Sequence, residues 1–310
     1  MAGEQPTSEM TTFQLPGWDP PVDVHLRHDA VKDGLTKESA LNFTAFKEWT
    51  ARLGENLAEQ VHSSHTFFDN PWKLTEILVH SVTFFGPRIG FMTVEAKLRR
   101  KDEQRALSQK PGNHQEPAAL DRVVFLRGGS VAMLMILRPR DSRNERYVIM
   151  TEQPRIGAGS LAFLEIPAGM LDDSPEVRGK VLEEIKEETG FSIQKDELIN
   201  LTALALGGTD TPDRVRDGLY PSPANLDEFI PLFAWEKELD RQEIEDLKGR
   251  LTGERTHQEM IKLVICDYEE IWRRGARDSK TLAAWALYEG LNREGTIERE
   301  LSRIRRGFSE

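Results

Sequence analysis

Residues 99–119, RRKDEQRALSQKPGNHQEPAA, constrain the folding of this chain more than any other stretch. They are polar, carry Pro111, Gly112 and Pro117, and offer no periodic apolar face to bury. A linker there divides the 310 residues into a front part, 1–120, and a main part, 121–310. The front part opens on a polar, Pro-rich lead-in of some 30 residues. From Thr36 a helical pattern begins, with Phe46, Trp49, Leu53, Leu57 and Val61 recurring at steps of three and four. LTEILVHSVTFF and GFMTVEAKL then read as two strands around Gly86-Pro87, so the front part is expected to be a small α+β domain.

The main part has a different rhythm. DRVVFLRGGSVAMLMIL reads as two strands joined near Gly128-Gly129, RYVIMTEQ as a third, and LAFLEIP as a fourth ending at Pro167. A helix follows, then short strands near LTALAL, FIPLFAW and IKLVIC, and helices around 267–274, 279–291 and 296–306. Strands, one central helix, more strands and closing helices predict a mixed α/β fold rather than regular βαβ repetition.

Charge excludes some functions. A formal net charge of −11 argues against the broad basic face of a nucleic-acid binder. No run approaches the roughly 18 apolar residues of a membrane span. The first 21 residues lack the cationic start and apolar run of a secretory signal. The one cysteine, Cys266, lies in the apolar run IKLVIC and reads as a buried free thiol in a reducing, cytoplasmic compartment.

The chemistry concentrates in GMLDDSPEVRGKVLEEIKEETGF, residues 169–191. Ser174 is a good N-cap, Pro175 suits the first helical position, and Gly190 is the expected stop. Glu184, Glu187 and Glu188 stand at i, i+3 and i+4 and share a face. Val177, Val181 and Ile185 form the apolar stripe; at 100° per residue Glu188 projects inside it and Glu184 beside it. Carboxylates at the edge of a core are costly unless paired or bound to a cation, and three oxygen donors suit Mg²⁺ or Mn²⁺. A solvated acidic helix face is the alternative that spacing alone leaves open.

This segment resembles the box of the Nudix hydrolases. Gly169 opens it, and Glu184, Ile185, Glu187, Glu188, Gly190 and Phe191 fall in register. Pro175 stands where the family has its first box glutamate, and Glu183 where it has an arginine. The resemblance extends over roughly residues 121–291 through TEQPRIGAGSLAFLEIPAGMLDD, YPSPANLDE, HQEMIKLVICDYEEIW and DSKTLAAWALYEG. It points to the ADP-sugar and ADP-ribose pyrophosphatase branch, and within it to the plant-type ADP-sugar diphosphatases.

The resemblance implies a Nudix α/β/α sandwich with a mixed sheet, and a metal-dependent hydrolase that splits a nucleoside-diphosphate sugar into a nucleoside monophosphate and a sugar 1-phosphate. It implies Mg²⁺ or Mn²⁺ held by Glu184, Glu187, Glu188 and the Ala168 carbonyl. Glu259 is the implied general base, with Glu254 second, and Glu187 is counted with the catalytic groups. Arg155 and, more weakly, Arg255 would clamp the substrate phosphates. Glu165 would bind the nucleotide or steady the metal site. Ser222 and Pro223 begin the loop where the branch often has Ser-Pro-Gly-Gly and this chain has Ser222-Pro223-Ala224-Asn225. A homodimer built through the front part is implied as well. The rival readings are a UDP-sugar pyrophosphatase, a sugar-nucleotide sensor without catalysis, and a domain serving assembly alone.

Overall fold

SVAMLMIL, the run from Ser130 to Leu137, has no charged residue and suits a strand covered on both faces. In the computed structural model, which describes residues 11–100, 119–171, 177–208, 213–253 and 261–307, it is the central strand of the larger of two sheets. Within the helix that starts at Val177, the side chains of residues 177, 178, 180, 181 and 184 also lie outside what is described.

Two compact units share the chain. The first comprises residues 1–128 with 210–215 and 222–228; the second comprises 129–209, 216–221 and 229–310.

The first unit carries strands β1 (Thr11–Gln14), β2 (Asp23–Leu26), β3 (Trp72–Phe85), β4 (Arg88–Arg100) and β5 (Leu120–Leu126), hydrogen-bonded in that order. Helices α1 (His28–Lys32), α2 (Lys37–Asn42) and α3 (Thr44–Glu59) lie between β2 and β3 in the chain. The expected helix from Thr36 is thus two helices, parted at Phe43, whose extended backbone ends one and starts the next. Along β3 the buried residues Leu74, Ile77, Val79 and Val82 break strict alternation. Register shifts between Leu74 and Glu76 and between Val79 and Ser81 account for this, since each extra residue flips the following side chains. Phe46 of α3 joins Val24, Leu26, Ile77, Met92 and Val94 in the core.

The second unit carries β6 (Ser130–Pro139), β7 (Tyr147–Arg155), β8 (Ser160–Glu165), β9 (Ala168–Met170), β10 (Ile199–Asn200), β11 (Leu232–Leu239), β12 (Leu251–Thr252) and β13 (Ile261–Asp267). The order is β10-β11-β6-β7-β13-β12, with β8 added to β7 and β9 to β6. Among the described strands only β6 and β11 run parallel, so the sheet is mixed. Its helices are α4 (Val177–Thr189), α5 (Leu201–Leu206), α6 (Arg241–Leu247), α7 (Ile271–Arg274), α8 (Ser279–Arg293) and α9 (Thr296–Arg305).

Alternation along β6 builds two cores. Val131, Met133, Met135 and Leu137 meet Ile185 of α4 and Ile244 and Leu247 of α6. Ala132, Leu134 and Ile136 meet Ile271, Ala284, Tyr288, Leu291 and Ile297 of α7, α8 and α9. The sheet therefore lies between two helical layers, the expected α/β/α sandwich.

The two strands on either side of Gly128-Gly129 lie in different sheets, β5 in the first and β6 in the second. One sequence expectation fails. LTALAL is the helix α5 rather than a strand, because the Asn200 side chain accepts a hydrogen bond from Ala203 N at 3.0 Å and starts a helical turn. None of the described helices is long and apolar enough to cross a membrane.

Candidate active site

The end of α4 places the acidic residues. Ile185 is buried, Glu183 and Glu187 are exposed, and Glu188 is only 6% exposed, turned inward as the helical count predicts. Gly190 ends the helix at φ +79°, a left-handed conformation that favours glycine. The last carbonyls are satisfied from β12 and the residue after it. The Thr252 hydroxyl donates to the Glu188 carbonyl, and Gly253 N donates to the Glu187 carbonyl at 3.3 Å.

Glu188 meets strand groups with its carboxylate. Oε2 accepts from Ala168 N at 3.1 Å, and Oε1 accepts from Gln153 Nε2 at 3.4 Å. Gln153 also donates to the Thr151 hydroxyl at 3.4 Å, and that hydroxyl donates to the Glu165 carbonyl at 3.4 Å. Thr151, Gln153 and Arg155 occupy alternate positions of β7, with a register shift against β8 between the last two.

A second cluster forms where β7, β8 and the start of α8 meet. Glu165 is 1% exposed and accepts from Arg155 Nε on Oε1 at 2.6 Å and from Lys280 Nζ on Oε2 at 2.8 Å. Lys280 Nζ also reaches Asp278 Oδ1 at 2.8 Å. Burial pulls the Lys280 ammonium down, but Glu165 and Asp278 beside it outweigh that and hold it above the ordinary lysine range. Asp278 caps α8: its Oδ2 accepts from Thr281 N at 3.1 Å and from the Thr281 hydroxyl at 2.6 Å. Thr281 Oγ1 in turn accepts from Ile166 N at 3.1 Å, tying the helix start to the end of β8.

The structure thus brings Glu188 and Ala168 together, and Arg155 and Glu165 together. The partner that an acidic residue in the apolar LEIP strand calls for is a pair of cations, Arg155 and Lys280. Ser222 and Pro223 belong to the first unit, where Asn225 N donates to Ser222 O at 3.3 Å and closes a turn. Glu254, Arg255 and Glu259 lie outside the described residues, as does the side chain of Glu184.

Gln153 and Lys280 were not singled out from the sequence as site residues. The signal for Gln153 was its place two positions from Thr151 and two from Arg155, on one side of the strand segment that follows the apolar run Val148-Ile149-Met150. For Lys280 it was the cap sequence Asp278-Ser279-Lys280-Thr281. The α4 end and β9 offer oxygen donors, the set that fits a hard divalent cation. No three His, Cys, Asp or Glu side chains converge on one point among the described residues.

No family model matches this chain. A solved structure described as an ADP compounds hydrolase covers 72% of this chain and 98% of its own, at 14% identity and a TM-score of 0.40. Over 259 residues the chain is 33% identical to Nudix hydrolase 14, chloroplastic, of Arabidopsis thaliana, an alignment spanning 83% of this chain and 74% of that protein. By that relationship, and with Glu188 and Ala168 in contact at the end of α4, the chain belongs to the Nudix hydrolases.

Proposed function

We propose that this chain hydrolyses the diphosphate of a nucleoside-diphosphate sugar, of the ADP-ribose or ADP-glucose type, to a nucleoside monophosphate and a sugar 1-phosphate. The observation that carries the reading is the contact between Ala168 N and the buried Glu188 carboxylate at 3.1 Å, at the end of the box that the family uses for metal. Glu184, Glu187, Glu188 and the Ala168 carbonyl would hold Mg²⁺ or Mn²⁺. When bound, such cations neutralise the diphosphate oxygens and acidify water. Arg155 turns its guanidinium to the phosphate oxygens, with Arg255 a second candidate. Glu259, or Glu254 in its place, takes a proton from the attacking water as its oxygen bonds to phosphorus. The bridging P–O bond breaks, and the departing phosphate keeps the electron pair. Ser222 and Pro223 are assigned to the loop that meets the substrate.

A second reading, a sugar-nucleotide sensor without turnover, is favoured by Glu183, exposed where the box has its arginine. Assaying ADP-ribose, ADP-glucose, UDP-glucose and NADH with Mg²⁺ and with chelator separates the readings. Release of AMP from an ADP-sugar, abolished by chelator, is the expected result. UMP release would favour the UDP-sugar alternative, and binding without turnover the sensor. In the same proposal the first unit mediates a homodimer, and the buried Cys266 fits a reducing compartment, the cytoplasm.

A further inference from the structure

Arg155, Glu165, Lys280 and Asp278 form a chain of alternating charge with ends of very different character. The Arg155 side chain is 41% exposed, and its one hydrogen bond among the described residues is from Nε to Glu165. Among the described residues the four N–H groups on its two Nη atoms have no other partner, and a guanidinium fork binds phosphate oxygens two at a time. Asp278, at the other end, is the N-cap of the 15-residue helix α8, whose first amides and dipole favour its negative charge. Between them, Glu165 touches a cation with each oxygen. Were Lys280 absent, the buried Glu165 charge would fall on Arg155 alone, and a guanidinium neutralised at 2.6 Å attracts a diphosphate weakly.

We propose that Lys280 is a positioning residue for phosphate binding. By taking up one oxygen of Glu165, it leaves Arg155 oriented by the other oxygen yet positively charged toward the diphosphate. The inference rests on the functional reading that Arg155 meets the phosphates. Lys280 itself touches Glu165 and Asp278, 15% of its side chain is exposed, and it acts through Arg155.

The test is the affinity of inorganic pyrophosphate for the full chain, measured by calorimetry in chelator at low salt. Lys280→Gln keeps length and a donor but removes the charge. It should weaken binding about tenfold, as Arg155→Met should, the size expected for a charge-assisted hydrogen bond. The double variant should bind no more weakly than Arg155→Met alone, and Lys280→Arg should stay within about twofold of wild type. A scaffold role would weaken binding in both backgrounds alike, and that outcome overturns the inference. So does unchanged affinity in Lys280→Gln, or a wild-type chain that binds no pyrophosphate.

Should Lys280→Gln not fold, Glu165→Gln/Lys280→Gln removes one charge of each sign and carries the test. Affinity within about threefold of wild type supports the inference, and a loss of tenfold or more overturns it. The expected pattern with pyrophosphate, in a chain that hydrolyses no sugar nucleotide, would leave Lys280 as inferred and overturn the functional reading alone.

Discussion

Glu188 shows how much one side chain decides. Its carboxylate is held by Ala168 N at 3.1 Å and Gln153 Nε2 at 3.4 Å, so its aim is set before any ligand arrives. Glu188→Gln keeps the shape and one carbonyl acceptor for Ala168 N, and removes the charge. Turnover at saturating Mg²⁺ should fall on the order of a thousandfold, while the thermal midpoint stays within a few degrees of wild type. Equal kcat in variant and wild type would remove Glu188 from the metal site. Away from the site, Glu145 accepts from Arg241 Nη1 at 2.8 Å and from the Tyr147 hydroxyl at 2.7 Å, and these bonds hold the exposed Glu145 carboxyl down at about 2. A depressed carboxyl stabilises the fold fully above its unfolded value near 4.5 and stops doing so as pH falls toward about 2. In Arg241→Met the Glu145 carboxyl carbon should titrate close to the ordinary glutamate value by NMR. A midpoint unmoved by the substitution would deny the pairing.

At the scale of elements, the join between α7 and α8 is the tightest near the site. A Cβ on Gly275 would lie 2.3 Å from Thr281 Cγ2 and 3.1 Å from Ile271 O. Thr281 cannot turn aside, because its hydroxyl is engaged by both Asp278 and Ile166 N. Gly275→Ala should therefore destabilise by about 1–3 kcal/mol, the usual range for overpacking, read as a lower denaturant midpoint at unchanged slope. It should also weaken phosphate binding, since the strained turn starts the helix that carries Lys280. A midpoint equal to wild type would mean the turn relaxes freely.

The same elements show what could be read beforehand. Helix α4 was legible because its cues are local: a 3.6-residue stripe, an inward glutamate and a terminal glycine at φ +79°. LTALAL was not, since six apolar and small residues fit either period and the Asn200 cap decided it. The pairing of β5 with β4 rather than β6 depends on which sheet has a free edge, a property of the fold that no window of sequence contains. Lys280 and Glu165 lie 115 positions apart, so their contact left only two separate hints, a buried acid and a capped helix start.

At the scale of the whole molecule, the first unit needs a purpose, because the candidate site groups on β7, β8, β9, α4 and α8 all belong to the second. One face of its sheet offers one. Val123 is 49%, Phe125 38% and Phe85 40% exposed, and Phe91 lies between Phe85, edge-on at 4.9 Å between ring centroids, and Phe125, tilted at 5.1 Å. Val123 and Phe125 are two apart on β5 and so point the same way, at the end strand of the sheet. Contiguous exposed aromatics of this kind mark surfaces that bury against a partner, and a second copy of the chain is the proposed one. In a two-fold dimer each substitution enters the interface twice. Val123→Glu thus places two charges in one apolar contact, each costing on the order of 2 kcal/mol or more, and about 1.4 kcal/mol is already a tenfold loss of affinity. Within the isolated chain the same change is mild, because half of Val123 already faces water. Sedimentation at micromolar concentration should show a dimer for wild type and a monomer for Val123→Glu, with thermal midpoints measured at the concentration of each species. A wild-type monomer would end the dimer proposal; a Val123→Glu dimer would move its interface away from this face.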